Sequence, residues 1–227
     1  MKITYYGHSC VGVEVAGKHL LFDPFITPNE LAKHIDVNKV PADYILLSHG
    51  HQDHVADVEL IAKNTGAKVV GVFEVVSWFT EKGIKNGMGM NTGGIAALES
   101  GITIKMVNAV HSSSLPDGSY GGNPVGFVVT TPEGNFYFAG DTALTMDMQL
   151  IPDYAKIDIA MLPIGDFFTM GVQDAITAAK FVKTDKVIGL HYNTFPPISI
   201  DTEAAISNFK DADITLSLPQ IGLAKSY

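Results

Sequence analysis

Leu47-Ser48-His49-Gly50-His51-Gln52-Asp53-His54 overlaps the end of an apolar run, Tyr44-Ile45-Leu46-Leu47. Three imidazoles and one carboxylate fall within six positions. Imidazole nitrogens and carboxylate oxygens are the ligand atoms that zinc and similar divalent metals take. A helix could not aim four such neighbours at one place, and a strand would alternate them between two faces. A tight loop at a strand end, with Gly50 to let the backbone turn, aims all four inward. A lone His beside a strand is ordinarily structural or merely exposed; four ligand-type residues at this density are not explained that way. The octet reads as a metal-binding loop carrying more ligands than one ion needs.

The other histidines sort by setting. The chain has eight: His8, His19, His34, His49, His51, His54, His111 and His191. His19 follows Lys18 in a hairpin-like stretch, and His34 sits with Lys33 and Asp36; both read as surface residues. Four strand-like runs end in a ligand-type residue. Residues 44–47 lead into the octet, 102–110 into His111, 135–139 into Gly140-Asp141, and 186–190 into His191. If these strand ends share one edge, the loops converge there.

The 227 residues are 46% apolar, enough for a substantial core. No linker, repeat or low-complexity stretch interrupts them, so one domain over 1–227 is expected. No apolar run approaches the ~20 residues of a membrane span. Met1 to His8 enters a strand pattern without a leader-like apolar stretch, which points to a cytoplasmic protein with no membrane association. The single cysteine, Cys10, excludes an internal disulfide and reads as a buried thiol. Fifteen basic against 24 acidic residues give −9, with no basic run, which argues against an extended nucleic-acid surface. A small anionic substrate held by metal ions is compatible with that balance, and a homo-oligomer is left open.

Period and breakers predict strands at 2–6, 10–15, 18–22, 45–47, 68–73, 102–107, 125–130, 135–139, 157–162 and 186–190. Helices are expected over 55–64, 74–80, 172–182 and 201–209, the last with Asp201 as N-cap. Residues 27–43, broken by Pro28 and Pro41, read as a lid or loop. Residues 86–94, with four glycines, show no regular pattern. Two β-rich halves, each with helices and ligands, suggest an αββα sandwich.

The pattern His-x-His-x-Asp-His, followed by a distant His, Asp and His, resembles that of metallo-β-lactamase-fold hydrolases over nearly the whole chain. Flanking text narrows it: Tyr6-Gly7-His8-Ser9, Phe22-Asp23-Pro24-Phe25, Ala139-Gly140-Asp141-Thr142 and His191-Tyr192-Asn193-Thr194-Phe195-Pro196-Pro197. These segments resemble a bacterial and archaeal branch of metal-dependent hydrolases near the L-ascorbate-6-phosphate lactonases. The resemblance implies an α/β (α+β) protein, a four-layer αββα sandwich. It implies that His49, His51 and His111 bind one ion, Asp53, His54 and His191 a second, and Asp141 both. Zinc is the expected metal, with manganese or nickel as alternatives; a nitrogen ligand at His51 disfavours iron redox chemistry. The implied activity is hydrolysis, with a metal-bridging hydroxide attacking an ester-like centre such as a phosphodiester. A lactonase, or a metal-binding protein without catalysis, is the alternative.

Asp53 and His8 are the candidate catalytic residues. His8 follows Gly7 at a strand end, as the ligands follow theirs. It is either a core histidine hydrogen-bonded to backbone or a cleft residue that binds substrate or donates a proton. Asp23 is expected to hydrogen-bond a metal-binding His rather than to ligate. Asp166 and Thr169-Met170-Gly171 are expected at the pocket or an interface. Glu74 reads as an ordinary helix-start carboxylate.

Overall fold

The computed structural model describes all 227 residues. In chain order the elements are β1 (Lys2–Gly7), β2 (Cys10–Val15), β3 (Lys18–Phe22), β4 (Tyr44–Leu46), α1 (Gln52–Val55), α2 (Val58–Thr65), β5 (Lys68–Val72), α3 (Phe73–Glu81) and β6 (Gly87–Met90). The second half contains β7 (Ile95–Ala97), β8 (Thr103–Asn108), β9 (Val125–Thr130), β10 (Phe136–Phe138), α4 (Ile151–Tyr154), β11 (Ile159–Pro163), α5 (Val172–Phe181), β12 (Lys186–Leu190), α6 (Thr202–Asp211), β13 (Thr215–Ser217) and β14 (Ala224–Ser226). One sheet has the order β14-β1-β2-β3-β4-β5-β6 and the other β13-β12-β11-β10-β9-β8-β7. Helices α2 and α3 pack on the first, α5 and α6 on the second, giving the four-layer αββα sandwich expected from the sequence.

Strand periodicity divides the second sheet's side chains between two apolar layers. Phe127, Val129, Phe136, Phe138, Ile159, Met161, Ile188 and Leu190 face the first sheet. Their neighbours Val128, Tyr137, Ala160, Leu162 and Val187 face α5 and α6. Phe22 of β3 fills the inter-sheet space: its ring stacks on Phe138 at 4.6 Å and meets Phe127 and Phe136 edge-on at 6.0 and 5.8 Å. Each such buried ring stabilises the fold by roughly 1.5–3 kcal/mol.

Strand direction positions the site. Strands β3 to β6 are mutually parallel, as are β10 to β13. β1 and β8 run with β3 and β10 because each is two antiparallel steps away. The C-terminal ends of β1, β3, β4, β8, β10 and β12 therefore deliver the segments at His8, Asp23, the octet, His111, Asp141 and His191. Parallel sheets place ligand sites at such carboxyl ends.

Three local expectations are corrected. Residues 86–94 hold a parallel strand, β6, where none was expected. The helix expected over 55–64 is α2, which starts after Asp57, whose carboxylate accepts from the backbone N–H of Ile26 (2.6 Å) and Thr27 (2.9 Å), and the octet, expected as a loop, ends in the short helix α1, which carries Asp53 and His54. Residues 27–43 form two 3-10 turns, Glu30–Ala32 and Val37–Lys39. They lie by the C-terminal segment, where His34 Nε2 is 3.3 Å from the Ile221 carbonyl, and the loop alternative holds. No helix is long and apolar enough to cross a membrane.

Candidate metal centre

The seven ligand-type residues gather into two groups that meet at Asp141. Nitrogens of His49, His51 and His111 lie within 4.8 Å of one another, as do ligand atoms of His8, Asp53, His54 and His191. Asp141 Oδ2 stands 3.7 Å from His111 Nε2 in the first group, and 3.3 and 3.0 Å from His54 Nε2 and His191 Nε2 in the second. His49, His54, Asp141 and His191 are buried, while His51, Asp53 and His111 reach solvent.

Asp23 fixes two of these rings, as expected of a hydrogen-bond partner. Its Oδ2 is 2.8 Å from His54 Nδ1. A carboxylate can only accept, so His54 carries a proton on Nδ1 and presents Nε2 to the centre. Ser48 extends the chain: its Oγ donates to Asp23 Oδ2 at 2.5 Å and accepts from His49 Nδ1 at 2.9 Å. The His49 Nε2 lone pair then faces the centre too, 2.9 Å from His51 Nδ1.

These groups fit divalent metal. His54 Nε2 and Asp141 Oδ1 are buried without a hydrogen-bonding partner. Buried polar atoms are seldom left so, and imidazole nitrogens converging on a buried carboxylate are a donor set that a cation satisfies.

The electrostatics favour ligation. Burial, reinforced by His54, holds His49 well below the usual imidazole range, and burial likewise lowers His51 and His111. All three are neutral, the form that ligates metal. Burial alone would lower His54 and raise Asp141, but their mutual attraction reverses both, with Asp23 adding to His54 and His191 to Asp141. The pair is an ion pair, and loading a cation displaces the proton on His54.

His51, Asp53, His111, Asp141 and His191 line a cavity of about 500 Å³, completed by Ser112, Phe168, Phe195 and Pro197. No Lys lines it, and the chain has no Arg.

The sequence left His8 either as a core histidine or as a cleft residue, and the structure places it inside the protein. It is fully buried and is not part of the cavity wall. Its Nε2 is 3.0 Å from Asp53 Oδ2 and its Nδ1 3.1 Å from Thr194 Oγ1. Asp53 can only accept, so Nε2 carries the proton and Nδ1 accepts from the Thr194 hydroxyl. His8 thus holds the Asp53 carboxylate from outside the cavity lining. Burial pushes it down to about 4 despite the pull of Asp53. Burial would raise Asp53, but the His8 hydrogen bond and His54 carry it below the usual carboxylate range.

His19 and His34 lie outside the site. Asp166 turns its Oδ1 to its own loop, accepting from Phe167 N at 2.8 Å, and the neighbour that reaches the cavity is Phe168. Sequence reasoning missed Ser48, Thr194, Phe168 and Phe195 as site residues. Their signal was position alone: each sits in a loop leaving the carboxyl end of a strand.

Convergent histidines and aspartates at the carboxyl edge of an αββα sandwich define a metal-dependent hydrolase of the metallo-β-lactamase type. The profile of the Beta-lactamase superfamily domain matches residues 2–191. The chain is 53% identical over 222 residues to a UPF0173 metal-dependent hydrolase of Flavobacterium johnsoniae, covering 98% of each. It is 44% identical to one of Methanopyrus kandleri, covering 89% of each. It belongs to the UPF0173 metal-dependent hydrolases of this superfamily. Among solved structures it resembles Igni18, a metallo hydrolase of Ignicoccus hospitalis, with TM-score 0.89 and 34% identity over 100% of this chain and 98% of that one.

Proposed function

We propose that the chain is a dinuclear hydrolase of ester-like bonds. His49, His51 and His111 would hold one ion, Asp53, His54 and His191 the other, and Asp141 both. The observation that carries this is the meeting of two donor groups at one buried carboxylate in the wall of one cavity. When bound, divalent ions supply Lewis acidity and lower the pKa of water towards ~7. The chain's own residues prepare the site. Asp23 and Ser48 set the tautomers of His54 and His49, and His8 orients Asp53. Nitrogen-rich donors favour zinc, with manganese or nickel as alternatives.

Two ions against two aspartates leave the centre positive, which suits a phosphodiester or similar small anionic substrate. Lactone opening is the second reading, favoured by a wall with no Lys or Arg to clamp a phosphate. Metal analysis together with hydrolysis of bis(4-nitrophenyl) phosphate and of a lactone tests the reading, with Asp141→Asn as control. Two ions per chain and metal-dependent turnover that collapses in the variant support it. One ion per chain, or turnover indifferent to Asp141, overturns it.

A further inference from the structure

The two phenylalanines of the cavity wall come from neighbouring strands. β11 and β12 are parallel partners, so the loops that follow them leave the sheet side by side. The first loop carries Phe168 and the second Phe195 and Pro197, and all three face the cavity that His51, Asp53 and His111 line.

The first loop holds its aromatic pair in an unfavourable setting. Asp166 and Phe167 are consecutive left-handed residues, with φ of +61° and +57°. That conformation is costly for a residue such as Phe. Burial does not offset the strain, because Phe167 is 72% and Phe168 50% exposed. Hydrogen bonds fix the loop instead. Asp166 N donates to Met170 O and Met170 N to Thr142 O, each at 3.0 Å, which ties the loop to the residue after Asp141. Phe167 then meets Phe168 edge-on at 4.8 Å and 83°, supporting the ring that reaches the cavity. On the second loop, Phe195 is held against His8 at 5.3 Å and Phe25 at 6.2 Å. Phe168 is half-exposed and Phe195 partly buried, and both line the cavity of the polar centre; the aromatic surface they leave to water there is covered when something flat and apolar lies on it. With no cationic side chain on the wall, that part of the ligand is uncharged.

We propose that Phe168 and Phe195 form a subsite for a planar apolar substituent, aryl or heteroaryl, of the substrate whose polar group faces the metal centre. This rests on the hydrolase reading above and adds the substrate class to it.

The test compares acetohydroxamate with benzohydroxamate, two ligands with the same metal-binding head, by calorimetry on the zinc-loaded protein. Benzohydroxamate is expected to bind about tenfold more tightly to the wild type, the scale of one good aromatic contact. Phe168→Ala, at a half-exposed site, is expected to cut that preference below about threefold with acetohydroxamate within about twofold of wild type; Phe168→Tyr should retain it. Phe195→Leu, which keeps the bulk packed on His8, should weaken it as well. No aryl preference in the wild type, a preference that survives both Phe168→Ala and Phe195→Leu, or an equal loss for both ligands overturns the subsite. Turnover of dihydrocoumarin, δ-valerolactone and bis(4-nitrophenyl) phosphate is followed in parallel. An aryl preference without any turnover sinks the ester-hydrolase reading and leaves the subsite standing. Turnover without the preference does the reverse.

Discussion

Asp23 is the residue on which the most contacts of the centre depend, although it is not among the seven ligand candidates. It is fully buried, accepts from His54 Nδ1, and through Ser48 fixes the ring of His49. Asp23→Asn keeps the shape, and Asn tolerates the left-handed φ of +42° found here. The amide lacks the charge and puts a donor where His54 donates. Such outer hydrogen bonds are worth ~10–100-fold in metal affinity. We expect zinc affinity, measured by competition with a chromogenic chelator, to fall by about that factor while the variant keeps its far-ultraviolet circular dichroism. Unchanged affinity would mean that the rings are set by packing alone. Thr194→Val probes the other support. Removing the hydroxyl leaves His8 Nδ1 without its donor and frees the ring to lose its hold on Asp53. On the proposed dinuclear reading, the ion at Asp53 should weaken by roughly three- to tenfold, at a cost of about 1 kcal/mol in stability. Loss of both ions together would show that Thr194 supports the whole cluster. The octet and the distant His111, Asp141 and His191 were legible because ligand atoms are a property of residue type. The depth of His8 was not, because a histidine before and one behind a cavity wall look alike in one dimension.

Elements show why some patterns misled. The sequence Gly87-Met88-Gly89-Met90 has no β-branched residue and reads as loop, yet β6 pairs in parallel with β5. Its glycines serve the packing of α3. A Cβ on Gly87 would lie 2.7 Å from Val76 Cγ1, and one on Gly89 3.2 Å from Phe73 Cα. The strand is glycine-rich because a helix lies against it, which no local pattern reveals. Gly165 has the same logic beside the site. A Cβ there would stand 2.0 Å from the His191 carbonyl oxygen, so glycine lets the β11 loop and the β12 loop touch. Gly165→Ala must push these loops apart and displace both His191 and the Phe168 loop. Overpacking of this kind costs about 1–3 kcal/mol. We expect a lower melting temperature and, by elemental analysis, a lower metal content than the wild type. Full metal content with unaltered turnover would show that the loops separate without disturbing the ligands. By contrast, β2, β3, β9 and β12 were readable residue by residue, because each alternates or is apolar throughout and ends at a turn or a ligand.

Across the whole molecule, the centre joins the two sheets: Asp23, the octet and His8 belong to the first, and His111, Asp141 and His191 to the second. Convergence of the two ligand halves was legible only as recurrence, since sequence shows that strands end in ligands but not that their ends share an edge. Joining the sheets makes metal binding a term in global stability. In the metal-free protein His49, His51, His111 and His8 are all held below the free imidazole value, first by burial. The unfolded chain then binds more protons than the native one below pH ~6.5, so native stability falls as pH falls. For His8, lowered to about 4, the window runs from about 6.5 down to about 4 and amounts to about 3 kcal/mol. His54, raised by Asp141 and Asp23, acts in the opposite sense, its contribution being present below pH ~6.5 and lost as pH rises through its folded value. The two effects fall in different windows, the four lowered histidines costing stability below pH ~6.5 and His54 above it. Thermal unfolding of chelator-treated protein should therefore weaken steadily from ~6.5 to ~4, through the four lowered histidines, and weaken again as pH rises above ~6.5, through His54. Zinc at about a hundredfold over its dissociation constant adds about 2.7 kcal/mol per site, or roughly 5–10 °C in melting temperature for a chain of this length. That gain should shrink with acid, because protons compete for the same nitrogens. A zinc-induced rise that does not depend on pH between 5 and 8 would place the bound ion away from the histidines, and the two-sheet centre would have to be given up.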